Sequence, residues 1–155
     1  MAMKKYVLLF LFIHFSCLAG VAQESHLDFM GFPMGVTIDD FTKQLRQRYP
    51  LQKRVGGDRY YIYKGSIYGR DSYLKAEYTK RSRLVYKITV TPKFIDQNAL
   101  ADSLVAHYGE AIEVQNGMRW NVEGGTIFLY MPQGYDPVLM YFDEQAVAKF
   151  REEGE

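Results

Sequence analysis

The sequence predicts an α+β domain in which a helix and three antiparallel strands are used twice in tandem, with the helices on one face of the sheet. Three observations carry that expectation. Residues 59 apart echo one another: Thr37 with Asp96, Phe41 with Leu100, Leu45 with Leu104, Tyr49 with Tyr108, Tyr61 with Trp120 and Gly65 with Gly124. A fixed period at cap, helix-core and strand positions is the mark of a repeated supersecondary unit. Strict apolar/polar alternation runs through Ser72–Thr79 and Arg83–Thr91, the period of half-buried strands. Short turn-like breaks join successive strands, which implies antiparallel pairing.

The elements follow in chain order. Met1–Lys5 is basic, Tyr6–Phe15 is apolar, and Ala19-Gly20-Val21-Ala22 supplies small residues before the polar Gln23. That is the pattern of a secretory signal peptide over 1–22, and its apolar run is too short to span a bilayer. Gly20 and Ala22 suit the small-residue cleavage positions. Cys17 is the single cysteine, but His14-Phe15-Ser16 before it makes a poor lipidation box, so the export expected is periplasmic or extracellular without a lipid anchor.

Residues 23–155 then form one α+β domain, with halves at about 36–92 and 95–142 and a terminal helix over 143–153. Thr37 is the expected N-cap of the first helix, with Asp40 in the capping-box position and Ile38, Phe41 and Leu45 as its apolar stripe. Pro50 ends it. Strands are expected at Arg59–Lys64, Ser72–Thr79 and Arg83–Thr91, the last with Leu84, Tyr86, Ile88 and Val90 inward and Val85, Lys87 and Thr89 outward. Asp96 caps the second helix, striped by Leu100, Leu104 and Tyr108, and Gly109 stops it. Met118–Val122, Thr126–Met131 and Val138–Phe142 complete the second set.

Without the leader, 17 basic residues face 18 acidic ones. So even a balance provides no field to gather nucleic acid or anionic lipid, and neither is expected as a partner. No transmembrane segment is expected after the leader. Loss of Cys17 with the leader leaves no disulfide, thiol nucleophile or thiolate metal site.

This layout resembles the fold of the β-lactamase-inhibitor protein family, in which a helical segment plus antiparallel sheet is repeated, and the SmpA/OmlA outer-membrane lipoproteins resemble a single copy of a related unit. The run Phe29-x-Gly31-x-Pro33-x-Gly35, followed by Phe41 and Leu45, is similar to the start of small secreted Bacteroidetes proteins of unknown function, as are Trp120 and Gly124-Gly125-Thr126-Ile127. The resemblance implies a fold and an envelope setting. It does not imply β-lactamase inhibition: the disulfides of that inhibitor are missing, and fold does not carry function.

Catalytic stock is sparse. His26 and His107 are the only histidines beyond the leader, and no Gly-x-Ser-x-Gly elbow or Ser-x-x-Lys motif occurs. Gly109 interrupts any helix joining His107 to Glu110 and Glu113, so no metal site or other cofactor is expected there. Gly56-Gly57-Asp58 lacks the Lys and following helix of a phosphate loop. Asp39-Asp40 and Asp143-Glu144 suit helix starts, where the dipole favours carboxylates.

What remains is the outward sheet face. If Tyr61 and Trp120 face the helices, then Tyr60, Ile62, Arg119 and Asn121 point away, joined by Tyr73, Lys75, Val85 and Lys87. Tyr and Arg are the residues of binding hot spots, since they bury large areas while still donating hydrogen bonds. The expected function is non-enzymatic recognition of an envelope or extracellular protein or peptide. The alternatives are small-ligand or glycan binding on the same face, or a hydrolase with an unrecognised carboxylate pair.

Overall fold

The computed structural model describes residues 25–154; the expected leader and Cys17 lie outside the described residues. A short hairpin, β1 (Asp28–Phe29) and β2 (Phe32–Pro33), precedes helix α1 (Ile38–Arg48). Four strands follow: β3 (Gln52–Gly56), β4 (Tyr60–Ile67), β5 (Arg70–Tyr78) and β6 (Val85–Pro92). Helix α2 (Gln97–Tyr108) leads to four more: β7 (Ile112–Val114), β8 (Gly117–Val122), β9 (Gly125–Tyr130) and β10 (Val138–Asp143). Helix α3 (Glu144–Glu152) leaves directly from β10. The fold is mixed α+β, dominated by an antiparallel sheet.

Eight strands form that sheet, in the order β3-β4-β5-β6-β10-β9-β8-β7. Two hairpin-linked meanders therefore meet where β6 pairs antiparallel with β10. The expected three strands per half become four because β3 and β7 are added at the edges.

Each helix start is set by its cap. Thr37 Oγ1 accepts from the Asp40 amide and donates to the Asp40 carboxylate at 2.7 Å. Asp96 accepts from the Ala99 amide at 2.9 Å, and Asp143 from the Ala146 amide at 2.8 Å. These side chains satisfy amides that the first turn leaves without carbonyl partners. Gly109, at φ +84°, closes α2 and donates to the Val105 carbonyl. Among the described residues, no helix is long and apolar enough to cross a membrane.

One row of side chains shows how register builds the core. Tyr61, Ala76, Ile88, Tyr141, Ile127 and Trp120 lie opposite one another across β4, β5, β6, β10, β9 and β8. The next row on the same face runs Tyr63, Leu74, Val90, Leu139, Leu129 and Met118. Apart from the half-buried Tyr61 and Met118, these side chains are buried. Ile38, Phe41 and Leu45 of α1 and Leu100 and Leu104 of α2 join the same core. Thr42 of α1 hydrogen-bonds the Tyr63 hydroxyl, and the Trp120 indole donates to the Gly109 carbonyl at 3.0 Å, so one end of each row is tied to a helix or its cap. Phe29 from the first hairpin inserts edge-on against Tyr141, ring centres 4.9 Å apart.

Two expected side-chain orientations on β6 are corrected. Val85 is completely buried instead of facing outward. The pairing steps from Glu77–Lys87 to Tyr78–Val85, so Tyr86 is an extra residue in the ladder. Such a bulge shifts the alternation by one residue. Val36 then pairs with Val85 from the other side, its carbonyl accepting the Val85 amide at 2.9 Å. Tyr86, expected inward, instead stacks its ring 4.5 Å from Phe150 of α3. The last pair of the 59-residue echo also diverges: Gly65 is mid-strand opposite Ser72, whereas Gly124 sits between β8 and β9 at φ +80°.

Candidate binding face

Seven of the eight residues expected on the outward face share it: Tyr60 and Ile62 on β4, Tyr73 and Lys75 on β5, Lys87 on β6, and Arg119 and Asn121 on β8. Register decides this. Tyr60 lies opposite Glu77, which lies opposite Lys87, while Arg119 and Asn121 lie opposite Phe128 and Thr126. All have the parity opposite to Tyr61 and Trp120. Val85 is the exception, for the reason given above.

Lysines and aromatic rings interleave across the face. Tyr73, 42 % exposed, lies between two ammonium groups, Lys64 Nζ at 5.9 Å and Lys93 Nζ at 5.8 Å from its ring centre. Lys75 Nζ sits 4.9 Å from the Tyr60 ring and 2.9 Å from Glu77. Lys87 approaches the other Glu77 oxygen at 3.3 Å and stands 5.4 Å from the Phe142 ring. Glu77 thus neutralises Lys75 and Lys87 in and beside the row that ends at Asn121, while Tyr73 and its lysines lie two rows away. Cation–ring contacts at exposed sites stabilise by about 0.5–1 kcal/mol each.

Sequence reasoning missed much of the apolar content. Val55 on β3 is opposite Ile62, Ile112 on β7 is opposite Arg119, Val114 is opposite Gly117, and Tyr130 on β9 is opposite Val138. All four share the face with Tyr73 and are exposed. Phe94 and Tyr135, 87 % and 77 % exposed, stand on the two loops at the Tyr73 end. Asp136 locks those loops together, accepting from Lys93 Nζ and the Phe94 amide at 2.9 Å each, while Gln97 Nε2 donates to the Tyr135 carbonyl at 2.7 Å. These bonds hold the Asp136 carboxyl below its ordinary pKa, Lys93 contributing most. A signal for this end was present in the sequence: Tyr130 closes a continuously apolar strand and Phe94 follows the Pro92 stop.

The other end of the face is partly roofed. Helix α3 crosses it, and between α3 and strands β8–β10 lies a groove of about 590 Å³. Phe128 and Phe142 meet edge-to-face at 5.8 Å on its floor, Val147 and Ala148 form the helix side, and Arg119 and Arg151 contribute the cations. The Nε of Arg119 is buried with no hydrogen-bond partner among the described residues. An orphaned buried donor costs about 1–3 kcal/mol, more when charged.

A second concavity, about 520 Å³, opens beside α2 and the first hairpin. Asp28, Met30, Tyr49, Tyr68, His107 and Tyr108 line it. At its base the Tyr68 and Tyr141 hydroxyls are 2.6 Å apart, and Tyr141 also hydrogen-bonds Tyr108. Burial is the largest cause raising all three phenols above their ordinary pKa, so they are neutral hydroxyls. His107 is exposed and packs edge-on against Tyr108, 4.5 Å between centres. Among the described residues no three His, Cys, Asp or Glu side chains converge as a metal site.

Comparison with protein-family models, characterised proteins and solved structures found no match to this chain.

Proposed function

We propose that this chain is a non-enzymatic binding module of the envelope or the secreted space, recognising a protein or peptide partner through the sheet face that carries Tyr73. The observation that carries the reading is where exposed apolar side chains fall. Val55, Tyr73, Ile112, Val114 and Tyr130 all lie on that face, and Phe94 and Tyr135 stand at its rim. Scattered apolar side chains need no explanation, but a set gathered on one face marks an interaction surface. Tyrosine is enriched at the centre of such surfaces, and a polar, solvent-accessible rim surrounds it.

The scaffold proposed is a helix-plus-strands unit used twice, with α1 and α2 covering the buried face. The N-caps Thr37 and Asp96, and the positions of Tyr61 and Trp120 each on the strand second from a sheet edge, support it. Such a scaffold leaves open the part of the opposite face that α3 does not cover. The leader read in Met1–Ala22 supports export.

The test is capture from an envelope extract by the immobilised protein and by a Tyr73→Ala/Tyr130→Ala variant. A partner held by the first and lost by the second supports the reading. A partner held equally by both sinks the face assignment, and capture of nothing by either sinks protein recognition.

A second reading, small-ligand binding, is favoured by the tyrosine-lined concavity beside α2. Its volume lies in the range of small-molecule sites, and converging hydroxyls suit a hydrogen-bonding ligand. Ligand-induced shifts of the Tyr68 and Tyr108 ring resonances in a metabolite panel, unaffected by Tyr73→Ala, would favour it over the first.

A further inference from the structure

The groove under α3 contains a feature that general partner binding does not explain: two arginines facing an aromatic floor with no carboxylate paired to either among the described residues. Arg119 reaches the groove from β8 and Arg151 from the last turn of α3. Among the other cations of this face, Lys64 stands over the Tyr73 ring and three lysines are paired with carboxylates. Lys75 and Lys87 are paired with Glu77, and Lys93 with Asp136. Arg119 Nε is buried without an acceptor among the described residues. A guanidinium presents a planar fork that matches a carboxylate, and burial away from water strengthens that match. Among the described residues Glu144 is the single carboxylate lining the groove, and it is exposed at the start of α3.

We propose that the groove is the anchoring pocket for an acidic peptide segment of the partner, in which an Asp or Glu carboxylate binds Arg119 and Arg151 and a neighbouring apolar side chain lies on Phe128 and Phe142. This rests on the reading of the Tyr73 face as the binding face and adds the chemistry of what it binds. Charge complementarity selects the acidic residue. The Phe128–Phe142 pair, with Val147 and Ala148 beside it, selects the apolar neighbour. Extended peptide fits better than a compact ligand because the groove opens onto a sheet face continuing to Ile112 and Val114 at the β7 edge.

The probe is a capped pentapeptide alternating glutamate and phenylalanine, compared with the same peptide carrying glutamine for glutamate. Nuclear magnetic resonance reads the Nε–H signal of Arg119 and the amides of Phe128 and Phe142. The expected result is a saturable shift of all three by the glutamate peptide, and at least about tenfold weaker binding by the glutamine peptide, the size of one lost charge-assisted contact. Arg119→Gln should weaken the glutamate peptide to the glutamine level, Arg119→Lys should restore part of it, and Lys43→Gln, on the exposed side of α1, should leave it unchanged. Equal binding of both peptides, or no shift at the groove, overturns the proposal. In the capture experiment, a partner lost by Tyr73→Ala/Tyr130→Ala yet retained by Arg119→Gln overturns the groove alone and leaves the face standing. A peptide that titrates the groove while the captured partner ignores Tyr73 and Tyr130 overturns the face alone.

Discussion

His26 and Asp143, 117 residues apart in sequence, meet with the ring Nδ1 3.0 Å from a carboxylate oxygen. Asp143 is fully buried, caps α3 through the Ala146 amide, and accepts the Leu27 amide at 2.8 Å. One carboxylate therefore ties the N-terminal segment, the end of β10 and the start of α3 together. Through α3 it also sets the roof of the arginine-lined groove.

Replacing Asp143 with Ala removes a helix cap and leaves the buried Leu27 amide without its acceptor. The cap accounts for about 1 kcal/mol and the orphaned donor for about 1–3 kcal/mol. Urea unfolding should show a loss of about 2–4 kcal/mol. Asp143→Asn keeps one oxygen acceptor and should lose less. Equal losses for the two variants would show that a single retained oxygen contributes nothing and that stability needs both carboxylate oxygens, one on the Ala146 amide and one on the Leu27 amide.

The same segment is threaded past Gly124. A Cβ on Gly124, at φ +80°, would come within 2.4 Å of the His26 backbone, whereas a Cβ on Gly134, at φ +78°, would meet nothing within 4 Å. Both substitutions to Ala suffer left-handed strain of about 1 kcal/mol. Only Gly124→Ala also displaces backbone, so its midpoint in urea should fall well below that of Gly134→Ala. Similar midpoints would mean that residues 26–27 detach at little cost.

Buried phenols make a prediction in alkali. Tyr68 and Tyr141 have pKa values raised in the folded protein, chiefly by burial. The unfolded chain loses these protons near pH 10, about where free tyrosine does. The stability from keeping them neutral is complete below that pH and is lost as pH rises towards the folded values, because there the native state binds more protons. Tyrosinate absorbance should therefore show these two titrating only with unfolding. Tyr141→Phe, which leaves both Tyr68 and Tyr108 without their shared partner, should cost more than Tyr68→Phe, by about 1 kcal/mol.

Which parts were legible in the sequence follows from how burial writes itself into a chain. Leu74, Ala76 and Tyr78 alternate because β5 is covered on one face and open on the other, and the helix caps are local signals within four residues. Edge strands β3 and β7 leave weaker traces: all three residues of β7 are exposed and none alternates. Val85 was misplaced because nothing in Leu84-Val85-Tyr86-Lys87 marks Tyr86 as a bulge, which arises from pairing with both β5 and Val36. Likewise β9 reads as continuously apolar because Ile127 packs in the core while Phe128 packs in the groove beside α3. That α3 folds back over the sheet depends on Glu153 accepting the Arg81 and Ser82 amides, a contact across more than 70 residues.

Acid should loosen the aromatic rim of the Tyr73 face before it unfolds the protein. Asp136 has a depressed pKa, so its contribution is present above the ordinary carboxylate value of 3.8 and disappears as pH falls through the lower folded one. Protonation weakens the bonds to Lys93 Nζ and the Phe94 amide, which hold the two loops in place. Hydrogen-exchange protection of the Phe94 amide should drop in that range while the amides of Ile88 and Tyr141 stay protected. Asp136→Asn should reproduce the loss at neutral pH. If Phe94 and Tyr135 form part of the recognition surface, the same variant should weaken partner capture while leaving the urea-unfolding midpoint close to that of the unsubstituted protein. Unchanged capture by Asp136→Asn would remove the two loops from the interface and confine it to the strands.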